Sequence, residues 1–245
     1  MDIAGLTLCS RYSFPPNSLS LCGPIEKKKN LKLYASSQKA DLGTKEILSQ
    51  FATLFPYLSL IAYENDIKDP FDRRVVEAYW LGNTLLNNTP INKFARHLSE
   101  KIQLKKKIKR KELRRIFTKL THGALPHHSF HVLNIYKRTG HFDIVHVIET
   151  MDACLINWGK IKKIIPTAII IETCPLKRIS DKFGYGKAIL RTIMPQGEND
   201  VLFHSLQPND WISYHWGYFC QKLNQRQLRN LIYYTNLSVD LANKT

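Results

Sequence analysis

The chain has 245 residues, of which 44% are hydrophobic and 23% are charged, a composition typical of folded globular proteins rather than disordered ones. Its formal net charge at pH 7 is +16. No stretch approaches the roughly 18 apolar residues of a membrane-spanning helix, and the N-terminus lacks the features of a signal peptide. We therefore expect a cytoplasmic protein with no membrane partner. Five cysteines without a CxxC pair predict free thiols and disfavour a four-cysteine zinc site.

Residues 1–148 are predicted to form a mainly α-helical domain. The prolines in Phe14–Ser18 and Cys22–Pro24 predict loops, because proline fixes φ and breaks helices. Thr44 is predicted to cap a helix, and Asp69 to cap another that has proline in its first turn.

Residues 149–245 have a different pattern. Short isoleucine-rich segments bounded by glycine, proline and aspartate predict several strands and a small β-barrel. The last twenty residues have leucines on one helical stripe, which predicts a C-terminal helix. The chain is thus predicted to be an α+β protein.

A strongly basic segment covers residues 101–119, where ten residues are lysine or arginine and one is acidic. Such a segment can bind an anionic partner, either nucleic acid or an acidic protein surface. Apolar residues recur in it at helical spacing, and a charge run alone is a weak signal, so the solvated face of an ordinary amphipathic helix is the favoured explanation. The candidate anion-binding residues are Lys105, Lys106, Lys107, Lys109, Arg110, Lys111, Arg114 and Arg115.

Three histidines, His127, His128 and His131, lie within five residues. In a helix, His128 and His131 would share a face and could hold one metal ion; in a strand, His127 and His131 would do so. One buried histidine with two exposed ones is the alternative. Cys22, in the loop-like stretch "LCGP", can be a reactive thiol or metal ligand, or can fill a turn.

Two stretches carry a resemblance to a known family. "CLINWGKI", from Cys154 to Ile161, and "NDWISYHWGYF", from Asn209 to Phe219, are similar to segments of the HypC/HupF hydrogenase assembly chaperones. Those proteins have a cysteine five residues before a glycine, and near their end an aspartate, an aromatic residue, a histidine and a glycine, followed by a helix. The resemblance covers about the last third of the chain and carries over Cys154 and His215.

The resemblance implies a fold and a function. It implies that residues 149–245 form a HypC-like, OB-like β-barrel with a C-terminal helix. It implies that the protein works with a HypD-like scaffold to assemble and carry iron bearing cyanide and carbon monoxide ligands. It also implies that the protein delivers this iron to the precursor of the nickel–iron hydrogenase large subunit. Cys154 would then be the iron ligand and His215 the second group.

The chain departs from the chaperones at two positions. Their cysteine becomes N-terminal, whereas Cys154 follows about 150 residues, and Trp158 replaces their proline. The whole chain also resembles an uncharacterised bacterial family associated with hydrogenase gene neighbourhoods, on segments such as "DRRVVEAYWLGN" and "PHHSFHVLN". Both resemblances predict an accessory protein of hydrogenase maturation, a chaperone or iron carrier without turnover.

Two other functions compete with this one. The first is a metal-dependent enzyme in which His127, His128, His131 and Cys154 line one pocket. The second is a nucleic-acid-binding protein that uses the basic segment 101–119, and it predicts salt-sensitive binding.

Overall fold

The computed structural model describes residues 1–37, 39–135 and 147–244. Among them, α-helices alternate with short 3-10 turns at Ile25–Lys27 and Thr84–Asn88 and a π-helical turn at His97–Lys101. The α-helices are α1 (Ile3–Ser18), α2 (Lys28–Ser37), α3 (Leu42–Ser49), α4 (Leu54–Tyr63), α5 (Arg73–Trp80), α6 (Ile91–Arg96), α7 (Leu104–Lys107), α8 (Arg110–Thr121), α9 (His128–Asn134), α10 (Ile148–Cys154), α11 (Val201–His204) and α12 (Gln225–Asn243).

Seven strands of the described residues form two antiparallel sheets, and the predicted α+β class with a C-terminal helix is confirmed. The larger sheet has the order β5-β2-β1-β6-β7, and β3 and β4 form a separate hairpin. The strands are β1 (Asn157–Ile165), β2 (Ala168–Thr173), β3 (Leu176–Ile179), β4 (Lys182–Tyr185), β5 (Ile189–Ile193), β6 (Trp211–His215) and β7 (Tyr218–Lys222).

The predicted barrel does not close within the described part of the chain. Its edge strands, β5 and β7, meet only at an isolated parallel bridge between Met194 and Tyr218. The Met194 N–H donates to the Gly217 carbonyl, and the Phe219 N–H to the Met194 carbonyl, both at 2.9 Å. Pro195 follows at once, and a proline has no N–H with which to extend the ladder. The two edge strands therefore approach each other, but the sheet does not close into a barrel.

Helix α1 continues through a segment that the prolines predicted to be a loop. The prediction for Phe14–Ser18 is wrong, because Pro15 and Pro16 lie in the last turns of this helix. Each proline lacks the N–H that would bond the carbonyl four residues earlier, on Arg11 and Tyr12. Side chains from the sheet region supply the missing donors: Gln196 Nε2 donates to the Arg11 carbonyl at 2.6 Å.

The helical and sheet regions share the largest hydrophobic core. This core runs from α1 to α12 and includes Ile156, Cys220 and Leu223 from around the sheet. A second cluster of buried isoleucines lies within the sheet itself. Arg11, on α1, is fully buried and forms a bidentate ion pair with Asp200, with N–O distances of 3.0 and 2.9 Å. The sheet is thereby fixed against the N-terminal helix.

No helix of the described residues combines the length and hydropathy required to cross a membrane.

Candidate metal centre

Three side chains that are distant in sequence converge at the junction of the helical and sheet regions. One ligand atom from each of His128, Cys154 and His215 lies within 4.8 Å of the others. Both histidines are buried, with ring centroids 5.5 Å apart, and the cysteine is half-buried. The trio is the one group of three or more potential metal-ligating His, Cys, Asp or Glu residues found among the described residues.

Each member of the trio lies at the end of a secondary-structure element. His128 is the first residue of α9, Cys154 is the last of α10 and His215 is the last of β6. Residues 149–245 were predicted to form strands and a C-terminal helix, but Cys154 lies on α10 and the first strand begins only at Asn157. At the end of a helix or strand, a side chain can point toward a shared site without breaking the backbone hydrogen bonds of that helix or strand.

A tight turn fixes the position of His215. Trp216 and Gly217 connect β6 to β7 and both have positive φ, 51° and 79°, as the type I′ form of a two-residue hairpin turn requires. The Trp216 N–H donates to the Ala153 carbonyl at 2.9 Å. The hairpin is therefore tied to the end of α10, next to Cys154.

The proline pair in α1 determines which nitrogen of His215 can bind a metal. Pro16 leaves the Tyr12 carbonyl without a helical donor, and His215 Nδ1 lies 2.8 Å from that oxygen. A carbonyl only accepts, so Nδ1 carries the hydrogen and Nε2 retains its lone pair. A backbone carbonyl that fixes the tautomer in this way is a common companion of metal-binding histidines.

In His128 the two ring nitrogens have the opposite roles to those in His215. Its Nε2 lies 2.8 Å from the Cys154 carbonyl and so donates to it, which leaves the lone pair on Nδ1. The Tyr79 hydroxyl lies 3.2 Å from Nδ1 and donates there. Burial lowers the pKa of His128 to about 4, so the ring is neutral at physiological pH. A neutral imidazole is the form that binds metal ions.

The other two clustered histidines face elsewhere. His127 caps α9, because its Nδ1 accepts from the Ser129 backbone N–H at 3.3 Å, and its ring stacks on Tyr234. His131 Nδ1 lies 3.2 Å from the Tyr57 hydroxyl. The structure thus groups His128, but neither His127 nor His131, with Cys154 and His215. The metal role of all five residues stays a prediction.

The remaining candidates lie outside the trio. Cys22 is half-buried after α1 and packs against the main core, with its carbonyl accepting from Asn17 Nδ2 at 2.9 Å. The eight basic candidates lie on α7, α8 and the link between them, and all eight are exposed. The apolar face of α8 is buried through Ile116 and Leu120. This arrangement fits a solvated amphipathic helix and an anion-binding face alike.

Two contributors to the site were not among the sequence candidates. Tyr79 has the pattern of a core residue on α5, and Pro16 has the pattern of a loop residue. The proline pair was the sequence feature that could have indicated a role for Pro16. Two prolines in a helix leave two carbonyls without a backbone donor, so that side chains can donate to them.

The comparisons with known proteins establish the family. A family model described as "Family of unknown function (DUF6390)" matches residues 1–245. The chain belongs to DUF6390. Neither a curated protein nor a solved structure matches it.

The donor set of this DUF6390 protein suits a borderline or soft transition metal ion. A thiolate and two neutral imidazoles are ligands found for iron, zinc, copper and nickel, whereas magnesium and calcium prefer oxygen. Three protein ligands leave at least one coordination position for an exogenous group, as in catalytic zinc sites. The residues present therefore fit a metal ion that is held with an open side.

Pro16→Ala is expected to weaken binding of Zn²⁺ about 10-fold, the lower end of the effects of losing a supporting contact around a metal ligand. The backbone N–H that alanine restores would compete with His215 Nδ1 for the Tyr12 carbonyl, and the ring would lose its fixed orientation. Pro15→Ala is the matched control, since it perturbs the carbonyl bonded by Gln196 instead. Competition titrations with a chromogenic chelator measure both affinities; equal losses in the two variants would contradict the role given to Pro16.

Buried neutral histidines predict that stability falls with acidification. Burial lowers the pKa of His127 to about 3, against about 6.5 in the unfolded chain. The unfolded state therefore takes up the proton first, and the contribution present above pH 6.5 is lost as the pH falls toward 4. For His127 the loss is on the order of 3 kcal/mol over that range.

His127→Asn tests this pH dependence while retaining an N-cap, because asparagine is a favoured capping residue. Urea unfolding at pH 7 and at pH 4 gives the free energy of unfolding of each protein. The variant is expected to lose on the order of 3 kcal/mol less than the wild type between the two values. An identical loss of unfolding free energy in both proteins would contradict the assignment of this pH dependence to His127.

Proposed function

We propose that this protein binds an iron ion through Cys154, His215 and His128 and acts as an accessory protein of nickel–iron hydrogenase maturation, a HypC-like chaperone or iron carrier. The observation that carries the proposal is the convergence of the three ligand atoms within 4.8 Å. The resemblance to the HypC/HupF chaperones selects two of these residues from the sequence, and the fold brings them together with a third.

The environment of the trio supports a carrier. The exposed fraction of Cys154 is intermediate, and a thiolate that passes a metal to a partner must be reachable. His128 and His215 are buried and oriented by backbone carbonyls, so they can hold the ion while Cys154 is exchanged. The coordination positions not filled by protein are where cyanide and carbon monoxide would bind. The partner would be a HypD-like scaffold or the large-subunit precursor.

Anaerobic purification from a host that contains the hydrogenase maturation machinery tests the function. We expect bound iron together with cyanide and carbon monoxide stretching bands in the infrared spectrum, and loss of both in Cys154→Ala. Cys174→Ala is the control, because Cys174 is exposed and outside the trio. Iron without these bands would favour the metal-dependent enzyme, and absence of any metal from the wild-type protein would contradict the proposal.

The exposed basic residues on α7 and α8 support a second candidate function, binding of nucleic acid. An electrostatic interaction of this kind weakens steeply with salt, because lysine and arginine displace counterions from the phosphates. Fluorescence anisotropy with a labelled duplex at two salt concentrations distinguishes it from a merely solvated helix, for which no binding is expected at either.

A further inference from the structure

The two edges of the larger sheet differ. At the β7 edge, Arg11 Nε donates to the Cys220 carbonyl at 2.6 Å. Gln196 Nε2 donates to the Phe219 carbonyl at 2.8 Å. At the opposite edge, β5 pairs only with β2 over its whole length in the described part of the chain. We propose that the free side of β5 docks an extended, acidic segment of a partner protein, which joins the sheet as a further strand. This proposal goes beyond the proposed function and does not depend on a metal ion.

The backbone of β5 presents hydrogen-bonding groups on its free side. Met194 directly follows the strand, and its N–H and carbonyl bond Gly217 and Phe219 at 2.9 Å, on the side away from β2. Along an antiparallel strand, the backbone groups of successive residues face alternate sides. The N–H and carbonyl groups of Thr192 and Leu190 therefore also point away from β2. No strand of the described residues pairs with them.

The β5 edge lacks the features with which proteins normally prevent the addition of a strand. Such features include a β-bulge, a proline within the strand and a charged side chain at the edge. All five pairs between β5 and β2 run in register without a bulge, and β5 contains no proline. Its one charged residue, Arg191, is bonded to Asp152 at 2.9 Å. The strand therefore offers a regular template that another strand can extend.

Exposed apolar side chains lie at the start of the same strand. Leu190 is 67% exposed and Ile189 is 41% exposed. Successive side chains of a strand point to opposite faces of the sheet, so these two residues lie on different faces. A strand added beside β5 would thus cover apolar surface on both faces. Open backbone groups together with apolar side chains are what peptide recognition by strand addition requires.

The charge around β5 indicates that the partner segment is acidic. Residues 157–193 contain eight lysines and arginines and two acidic residues. The two acidic residues are already in ion pairs, with Lys162 and Arg178. Four exposed lysines of this region form no ion pair with a described residue: Lys163, Lys177, Lys182 and Lys187. Carboxylates of a partner would complement this charge, whereas a second copy of this chain would bring lysines against lysines.

Two of these lysines have a defined position relative to β5. Lys187 lies two residues before the strand begins. Lys163, on β1, pairs with Ile170, which in turn pairs with Thr192 on β5. Neighbouring strands are about 4.8 Å apart, so Lys163 lies about 10 Å from β5. That distance is about one Debye length at 0.1 M salt, so the charge of Lys163 acts at the free edge.

A decapeptide of alternating valine and glutamate, labelled with fluorescein, is the probe for this edge. Fluorescence anisotropy measures its binding to the full chain, in the presence of EDTA so that no metal ion contributes. We expect binding that weakens as the salt concentration rises. The same peptide with lysine in place of glutamate is the charge control, and it is expected to bind at least about 10-fold more weakly.

Thr192→Pro tests the backbone pairing. Proline removes the N–H that faces the free side, and the ladder with β2 keeps its bonds because that N–H is not part of it. The acidic peptide is expected to bind at least about 10-fold more weakly to this variant. Thr192→Val retains the N–H and is the matched control, expected to bind within a few-fold of wild type. Circular dichroism shows whether each variant is folded.

Leu190→Glu is a second variant that leaves the backbone intact. It places a negative charge at an exposed position beside the docked peptide, and the acidic peptide is expected to bind at least about 10-fold more weakly. Leu190→Gln, of the same size and without the charge, is expected to weaken binding less than Leu190→Glu does.

Three results would overturn the proposal. The first is that the wild type does not bind the acidic peptide. The second is equal binding by the wild type, Thr192→Pro and Leu190→Glu, which would place the peptide elsewhere, such as on the basic residues of α7 and α8. The third is a dimer in analytical ultracentrifugation that Thr192→Pro abolishes, which would assign the edge to a second copy of this chain. Each of these results would leave the proposed metal function standing, because EDTA is present throughout.

Discussion

His128→Ala is expected to lower the affinity for Co²⁺ by more than about 100-fold, because it removes one of the three proposed protein ligands and even supporting contacts contribute 10- to 100-fold. The expected loss matches that of Cys154→Ala, although the two residues belong to different helices. Chelator competition measures the affinities.

The control for this prediction is His131→Ala. His131 lies three residues further along the same helix and belongs to the same sequence cluster, yet the structure places it against Tyr57. We expect its Co²⁺ affinity to remain within a few-fold of wild type. Equal losses in both variants would show that the histidine cluster, rather than the trio, holds the ion.

Arg11→Met is expected to destabilise the protein by about 3–5 kcal/mol, because it leaves the Asp200 carboxylate buried without its counter-charge. Arg11 is 1% exposed and Asp200 is 0% exposed. The guanidinium also donates to the Ala35 carbonyl at 2.8 Å and the Cys220 carbonyl at 2.6 Å. One side chain thus connects α1 to α2 and to β7, and methionine of similar length replaces none of these bonds.

Urea unfolding provides the measurement for Arg11→Met, with Arg178→Met as control. Arg178 forms an exposed ion pair with Asp181 at 3.5 Å, for which about 0–1 kcal/mol is expected. A loss of unfolding free energy below about 1 kcal/mol for Arg11→Met would contradict this prediction. It would mean that other groups compensate the buried charge of Asp200.

The sequence was sufficient to predict helices that have a local stripe of apolar residues. The C-terminal helix was expected from its leucine stripe and is observed as α12, with Asn224 and Gln227 forming its capping box. The predicted caps were less accurate: Asp41 and Asp72 cap α3 and α5, rather than Thr44 and Asp69. Each error is three residues, because neighbouring polar residues compete for the same backbone donors.

Features that depend on long-range contacts were not accessible from the sequence. Helix α1 extends through Pro15 and Pro16 because Gln196 and His215 supply donors to the freed carbonyls, and these residues are about 180 and 200 positions away. Closure of the barrel depends on how far β5 and β7 converge, and the local strand pattern contains no information about that distance.

The candidate site was predictable only in part, for a related reason. The spacing of the three histidines indicated a metal role but allowed two different pairs, depending on whether the segment was helix or strand. The fold brings only His128 to Cys154, because the ring at the start of α9 lies 2.8 Å from the Cys154 carbonyl at the end of α10. Tyr79 was not a candidate, since a buried tyrosine in a helix has the same sequence pattern whether it only fills the core or also hydrogen-bonds a histidine of the site.

X-ray absorption spectroscopy of the zinc-loaded protein tests the metal centre most directly. Zinc is redox-inert, and its bonds to sulfur and nitrogen differ clearly, at about 2.3 Å and about 2.0–2.1 Å. We expect one sulfur neighbour and two imidazole nitrogens in the wild type, and loss of the sulfur in Cys154→Ser. A spectrum with only nitrogen and oxygen neighbours, unchanged in that variant, would contradict a site built on Cys154, His128 and His215.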